Sequence, residues 1–101
     1  MARDSHILII ARATAKPGKE AELIAALREV AGPTRAQPGC IRFGLYQIEG
    51  SGATILGIER WASAADHERH TAGAHFQRLA SQMADLISEP PRIVSHTVID
   101  E

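Results

Sequence analysis

The chain has 101 residues, 45% of them hydrophobic and 23% charged, with 11 lysines and arginines set against 12 acidic residues. A chain of this size buries roughly two thirds of the surface its unfolded form exposes, so one domain over residues 1-101 needs neither metal nor disulfide, and the composition argues against disorder and membrane spanning. A formal net charge of −1 and only four aromatic residues also argue against a nucleic-acid partner, which would need a basic surface and exposed stacking rings.

The apolar, β-branched run Ile7-Leu8-Ile9-Ile10-Ala11 sits inside a first strand expected over His6 to Ala13. Lys16-Pro17-Gly18 interrupts it, with Pro17 suited to the first position of a helix whose Leu23, Ile24, Leu27, Val30 and Ala31 recur at helical spacing. Gly32-Pro33 is expected to break or kink that helix, and Gln37-Pro38-Gly39 to reverse the chain. Strands over Cys40 to Ile48 and Thr54 to Trp61, joined by Glu49-Gly50-Ser51-Gly52, read as an antiparallel hairpin. Ser63-Ala64-Ala65-Asp66 fits a capping box before a short helix ending near Thr71. After Gly73, Phe76, Leu79, Ala80, Met83, Leu86 and Ile87 predict a second long helix, and Pro90-Pro91 precedes a last strand from Arg92 to Ile99.

Strand, helix, strand, strand, helix, strand is the split β-α-β order of an α+β domain, with both helices on one face of a four-stranded antiparallel sheet. The other face would be bare, yet the first strand carries apolar residues on both sides, Ile7 and Ile9 on one and Leu8 and Ile10 on the other. A second copy of the chain is the simplest cover, so a homodimer through the sheet face is expected. Met1 to Ser5 lead into an apolar run too short for a signal peptide, and Cys40 has no internal disulfide partner. A cytoplasmic location is expected.

Several short motifs come in a fixed order: Lys16-Pro17-Gly18-Lys19-Glu20 before the first helix, Gln37-Pro38-Gly39-Cys40 before the second strand, Glu59-Arg60-Trp61 closing the third, and His75-Phe76 opening the last helix. In this order they resemble the antibiotic biosynthesis monooxygenase family over nearly the whole chain. The resemblance implies a ferredoxin-like subunit of a dimeric α/β barrel with a small-molecule pocket between sheet and helices. It also implies a cofactor-free reaction of molecular oxygen with a quinol or related phenolic or polyketide aromatic. The family is mixed in function, so an isomerase of a small hydroxy-ketone and a non-catalytic small-molecule-binding dimer are the alternatives. Its haem-degrading branch uses an asparagine, and this sequence has none.

Oxygenation without metal or flavin needs a base, donors that hold the resulting anion, and a dry pocket. His75, in the His-Phe motif, is the expected base, because imidazole titrates near neutral pH. His70 matches a position where relatives carry histidine. It forms a His-x-x-His pair with His67, but no third ligand is evident and no metal is expected. Trp61 could line a pocket for a planar aromatic. Glu59 lies on the same strand side and, if buried, would need a partner such as an arginine. Arg42 and Tyr46 share one side of the second strand across Gly44, where a ligand could approach closely and a phenolate could be held. Cys40 reads as a packed, unreactive thiol.

Overall fold

The structure, a computed structural model, describes residues 6–101; Met1 to Ser5, on which the signal-peptide expectation falls, lie outside the described residues. The elements follow as β1 (Ile7–Thr14), α1 (Glu20–Arg35), β2 (Cys40–Gln47), β3 (Thr54–Trp61), α2 (Ala64–Ala72), α3 (Ala74–Met83) and β4 (Arg92–Thr97). The four strands form one antiparallel sheet in the order β2-β3-β1-β4, the ferredoxin-like α+β arrangement. Among the described residues no helix is long and apolar enough to cross a membrane.

The helices cover one sheet face. Strand alternation points Ile9, Ala13, Phe43, Ile55 and Trp61 into that side; Ala13, Phe43 and Ile55 join a core with Leu23, Ala26, Val30 and Ala31 of α1 and Leu79 and Met83 of α3, while Trp61 packs against His67 and His70 of α2. On the opposite face Leu8, Ile10, Leu56 and Ile58 remain only half-covered, and Val94 is 50% exposed.

The last strand ends at Thr97 and not at Ile99, and three features of the helices differ from the sequence reading. Pro17 does not open α1: Gly18 takes φ +84°, a left-handed conformation no helix can continue, and Lys19 becomes the cap. Pro33 does not break the helix. The buried Ala31 and Thr34 hold the last turn on both sides of it, the proline ring faces solvent, and the Ala36 amide still reaches the Gly32 carbonyl. The last helix stops at Met83, because the Ile87 backbone bridges to Ala15 and the Ser88 amide bonds the Thr14 carbonyl, pulling the chain onto the end of β1.

At the start of α2 the Ser63 hydroxyl accepts from the Asp66 amide at 3.2 Å and donates to Asp66 Oδ2 at 2.9 Å. The carboxylate thus closes the cap through the hydroxyl and not through the residue-63 amide. The Asp66 side chain also rests on Gly39, where any Cβ would fall 2.2 Å from Asp66 Cγ. Gly39, at φ +86°, therefore locks the α1–β2 turn against α2.

Candidate active site

Between the sheet and the helices lies a cavity of about 480 Å³, within the roughly 300–1,000 Å³ range of small-molecule sites. Its floor is low because β1 and β3 present small residues there: Ala11 pairs with Gly57, and Ala13 lies one step along. A Cβ on Gly57 would make only ordinary contacts, 3.6 Å from Glu59 Oε2 and 3.8 Å from the Ala11 Cβ, so the missing side chain is cavity space and not a backbone requirement. Leu27 and Val30 from α1, Leu79 and Met83 from α3, and Phe43 and Leu45 from β2 complete an apolar wall. Pro90, Pro91 and Ile93 line the β4 side, where every residue of the strand is exposed.

Two ionisable side chains in this wall are themselves buried, Glu59 at 6% exposure and His70 at 3%. The Trp61 indole Nε1–H donates to Glu59 Oε1 at 2.9 Å. Burial raises the carboxyl pKa, and the indole hydrogen bond opposes that rise in part. No lysine or arginine among the described residues forms an ion pair with it. The partner anticipated from sequence, an arginine, is replaced by the neighbouring tryptophan on the same strand side.

His70 is clamped by aromatic rings. Trp61 stacks on it at 4.9 Å between centroids and 28° between planes, and Phe76 meets it edge-on at 5.2 Å. Its Nδ1 lies 2.6 Å from Gln37 Oε1. Burial first, and then the neighbouring His67 and His75, pull its pKa down to about 4, so the ring is neutral at pH 7. His67, edge-on to Trp61 at 5.9 Å, is also lowered by burial. The site is therefore a neutral imidazole and a reluctantly ionised carboxyl group at the edge of an apolar chamber. Such a pair can take a proton from a hydroxyl and keep water from dispersing the charge that results.

The structure brings Trp61, Glu59 and His70 together and leaves the other anticipated residues apart. His75 does not line the cavity; its ring packs 5.5 Å from that of His70, and its Nε2 is buried without a hydrogen-bond partner. Arg42 and Tyr46 do share one side of β2, but it is the face turned away from the helices, where they border a shallow depression with Leu8, Ile58 and Arg60. The close approach at Gly44 is made by the Tyr46 ring itself, whose hydroxyl would lie 2.7 Å from any Cβ there. His67 and His70 sit 6.0 Å apart, and no group of three or more potential metal ligands forms among the described residues. Cys40 is half-buried, and desolvation followed by the Glu59 charge raises its thiol pKa. The sequence reading gave no site role to Gly57 or to Gln37, which it took only as a turn residue, although a glycine in the middle of a strand is itself a signal of open space or close approach.

This fold and site match known proteins. The model of the antibiotic biosynthesis monooxygenase family matches residues 6–82, and the chain belongs to that family. A Mycobacterium tuberculosis protein, Rv0793, named provisionally as a monooxygenase, is 29% identical over 97 residues, covering 96% of this chain and 95% of its own. The Rv0793 structure superposes with a TM-score of 0.91 at 28% identity, covering 96% of this chain and 98% of that one. The crystal structure of PA3566 from Pseudomonas aeruginosa superposes with a TM-score of 0.89 at 29% identity, covering 95% and 96%. A Synechocystis protein, sll1783, is 27% identical over 97 residues, and this chain spans 66% of its length.

Proposed function

We propose that the chain is a cofactor-independent monooxygenase that oxidises a quinol or related phenolic aromatic with molecular oxygen. The observation that carries this reading is the presence of a neutral His70 and a desolvated Glu59 in the wall of a mostly apolar cavity, whose other polar lining residues, Arg12, Ser88 and Glu89, are exposed. His70 takes the role that the sequence reading gave to His75, because a base must touch its substrate and His70 is the histidine on the cavity wall. The imidazole accepts the hydroxyl proton, and the electron-rich anion gives electrons to oxygen. One oxygen atom enters the ring and the other leaves as water, so a hydroquinone plus O₂ yields a hydroxyquinone plus water, with the substrate supplying the electrons. Trp61 and Phe76 hold the imidazole, and the aliphatic wall accommodates the flat ring.

Oxygen consumption by chelator-treated protein with a panel of benzo- and naphthohydroquinones tests this reading. Uptake above the autoxidation rate that falls at least tenfold in His70→Phe is expected, since general-base catalysis contributes roughly 10²–10⁴-fold. Thermal stabilisation by quinols with no uptake would instead indicate a binding protein, and turnover of hydroxy-ketones without oxygen an isomerase. We propose in addition that the uncovered sheet face packs against that of a second copy.

A further inference from the structure

We propose that Gln37 is a positioning residue, whose side-chain carbonyl holds the proton of His70 on Nδ1 and thereby turns the Nε2 lone pair to the cavity. The inference rests on the assignment of His70 as proton acceptor, but its geometry stands without any assay. Gln37 lies in the turn between α1 and β2, and its backbone is tied at both ends: its amide bonds the Thr34 carbonyl, and its carbonyl accepts from the Cys40 amide. Gln37 is off the cavity wall, whereas His70 is on it, so the ring edge bearing Nδ1 is turned away from the cavity.

A carbonyl oxygen carries no proton, so the hydrogen of a 2.6 Å contact between Oε1 and Nδ1 resides on the nitrogen. A neutral imidazole has one N–H, which leaves Nε2 as the acceptor. A turn of the ring that exchanged its nitrogens would break the contact with Gln37 and have to pass Trp61, stacked on one face at 4.9 Å, and Phe76, edge-on at 5.2 Å.

The choice of an amide over a carboxylate is itself informative. Aspartate or glutamate at this position would fix the same tautomer but would also stabilise the imidazolium. Glutamine orients the ring without adding charge. The groups around His70 are His67 on α2, His75 and Phe76 on α3, Trp61 on β3 and Gln37 in the turn, with Glu59 on the same cavity wall, and none of them is a carboxylate hydrogen-bonded to Nδ1. The ring is thus held as a neutral acceptor, which suits a substrate arriving with its hydroxyl proton in place.

Long-range ¹H–¹⁵N spectra of the uniformly labelled full chain at pH 7 read the tautomer directly. The expected result is a His70 ring with a protonated Nδ1 and a bare Nε2, lost in Gln37→Leu and retained in Gln37→Glu. Gln37→Glu is also expected to raise the pH at which His70 titrates by a unit or more. With a quinol substrate, Gln37→Leu should lower kcat by about 10-fold or more while KM changes less than threefold, and Gln37→Glu should restore kcat on the alkaline side of the shifted profile. A wild-type His70 protonated on Nε2, or a tautomer unchanged in Gln37→Leu, would overturn the proposal. An absence of oxygen uptake alongside the expected spectra would overturn the monooxygenase reading and leave the positioning role intact.

Discussion

Glu59 is a carboxyl group held against an indole with no ion-paired cation among the described residues, and its folded pKa lies above the usual carboxylate value because burial disfavours the ion. The folded protein therefore keeps the proton over a pH interval in which the unfolded chain has lost it, and stability falls as pH rises through that interval. His70 acts in the opposite direction. Its folded value of about 4 lies below the ordinary 6.5, so the unfolded chain binds the proton first and stability falls as pH drops through that window. Glu59→Gln separates the two effects, since the amide oxygen still accepts from Trp61 while the ionisation is gone. The variant is expected to melt a few degrees above wild type at pH 8, at about 4–8 °C per kcal/mol for a domain of this size. The advantage should vanish near pH 4, where the wild-type carboxyl group is itself protonated. Thermal unfolding across that pH range checks it, and a variant less stable than wild type at pH 8 would show that the carboxylate is satisfied in a way the indole alone does not explain.

The cavity is a property of elements, because it exists where β1 and β3 carry Ala11, Ala13 and Gly57 beneath helices whose larger side chains stand clear. Gly57→Val tests this. Valine suits a strand, and the first carbon it adds meets only ordinary contacts, so folding is expected to survive with Tm unchanged or raised. Its methyl groups would occupy ligand space, and quinol-dependent oxygen uptake should fall at least tenfold, with Gly57→Ala intermediate. A variant that folds and retains full uptake would move the substrate out of this cavity. The position was legible in principle, since a mid-strand glycine is visible in the sequence. Trp61 and Glu59 were legible too, because two-residue alternation places them on one side. The face of β2 was not. A bulge between Cys40 and Arg42 inserts Ile41 into the pairing, so Cys40 sits opposite Trp61 while Phe43 sits opposite Glu59. Counting by twos from Cys40 would have turned Arg42 and Tyr46 inward; the extra residue sends them outward and brings Phe43 and Leu45 to the cavity. Helix ends were likewise settled by tertiary contacts, Pro33 by the buried Ala31 and Thr34 and Ile87 by its bridge to Ala15. Gln37 could not be paired with His70 from spacing, because 33 residues and a fold separate them.

At the scale of the whole molecule the helices account for one sheet face, and on the other, among the described residues, the C-terminal segment reaches one end through Glu101 while Leu8, Ile10, Leu56 and Ile58 stay only half-covered. Across its middle, Gly44, Ile58, Ile10 and Val94 lie side by side in register, an apolar row spanning all four strands. One step along, Arg42 and Arg60 lie beside Leu8, and Arg60 pairs with Glu101 of the C-terminal segment. A soluble monomer would gain by placing polar side chains on that row, because a half-exposed sheet face ordinarily alternates. A two-fold axis through the row would set Ile10 and Ile58 against their own copies and leave the arginines toward the rim, where Arg60 keeps its ion pair with Glu101. Light scattering after size exclusion at micromolar concentration is expected to give twice the chain mass. Ile58→Glu would bring buried carboxylates together at the centre of that contact, and it should yield the single-chain mass with the helix-side cavity and quinol binding preserved. Wild-type protein eluting at the single-chain mass would leave the face uncovered in solution and remove the dimer. A variant that stays dimeric would place the contact elsewhere on the molecule. The substitution lies on the face opposite Glu59 and His70, so a loss of activity in a folded monomer would further show that the second copy is needed to hold the sheet beneath the site.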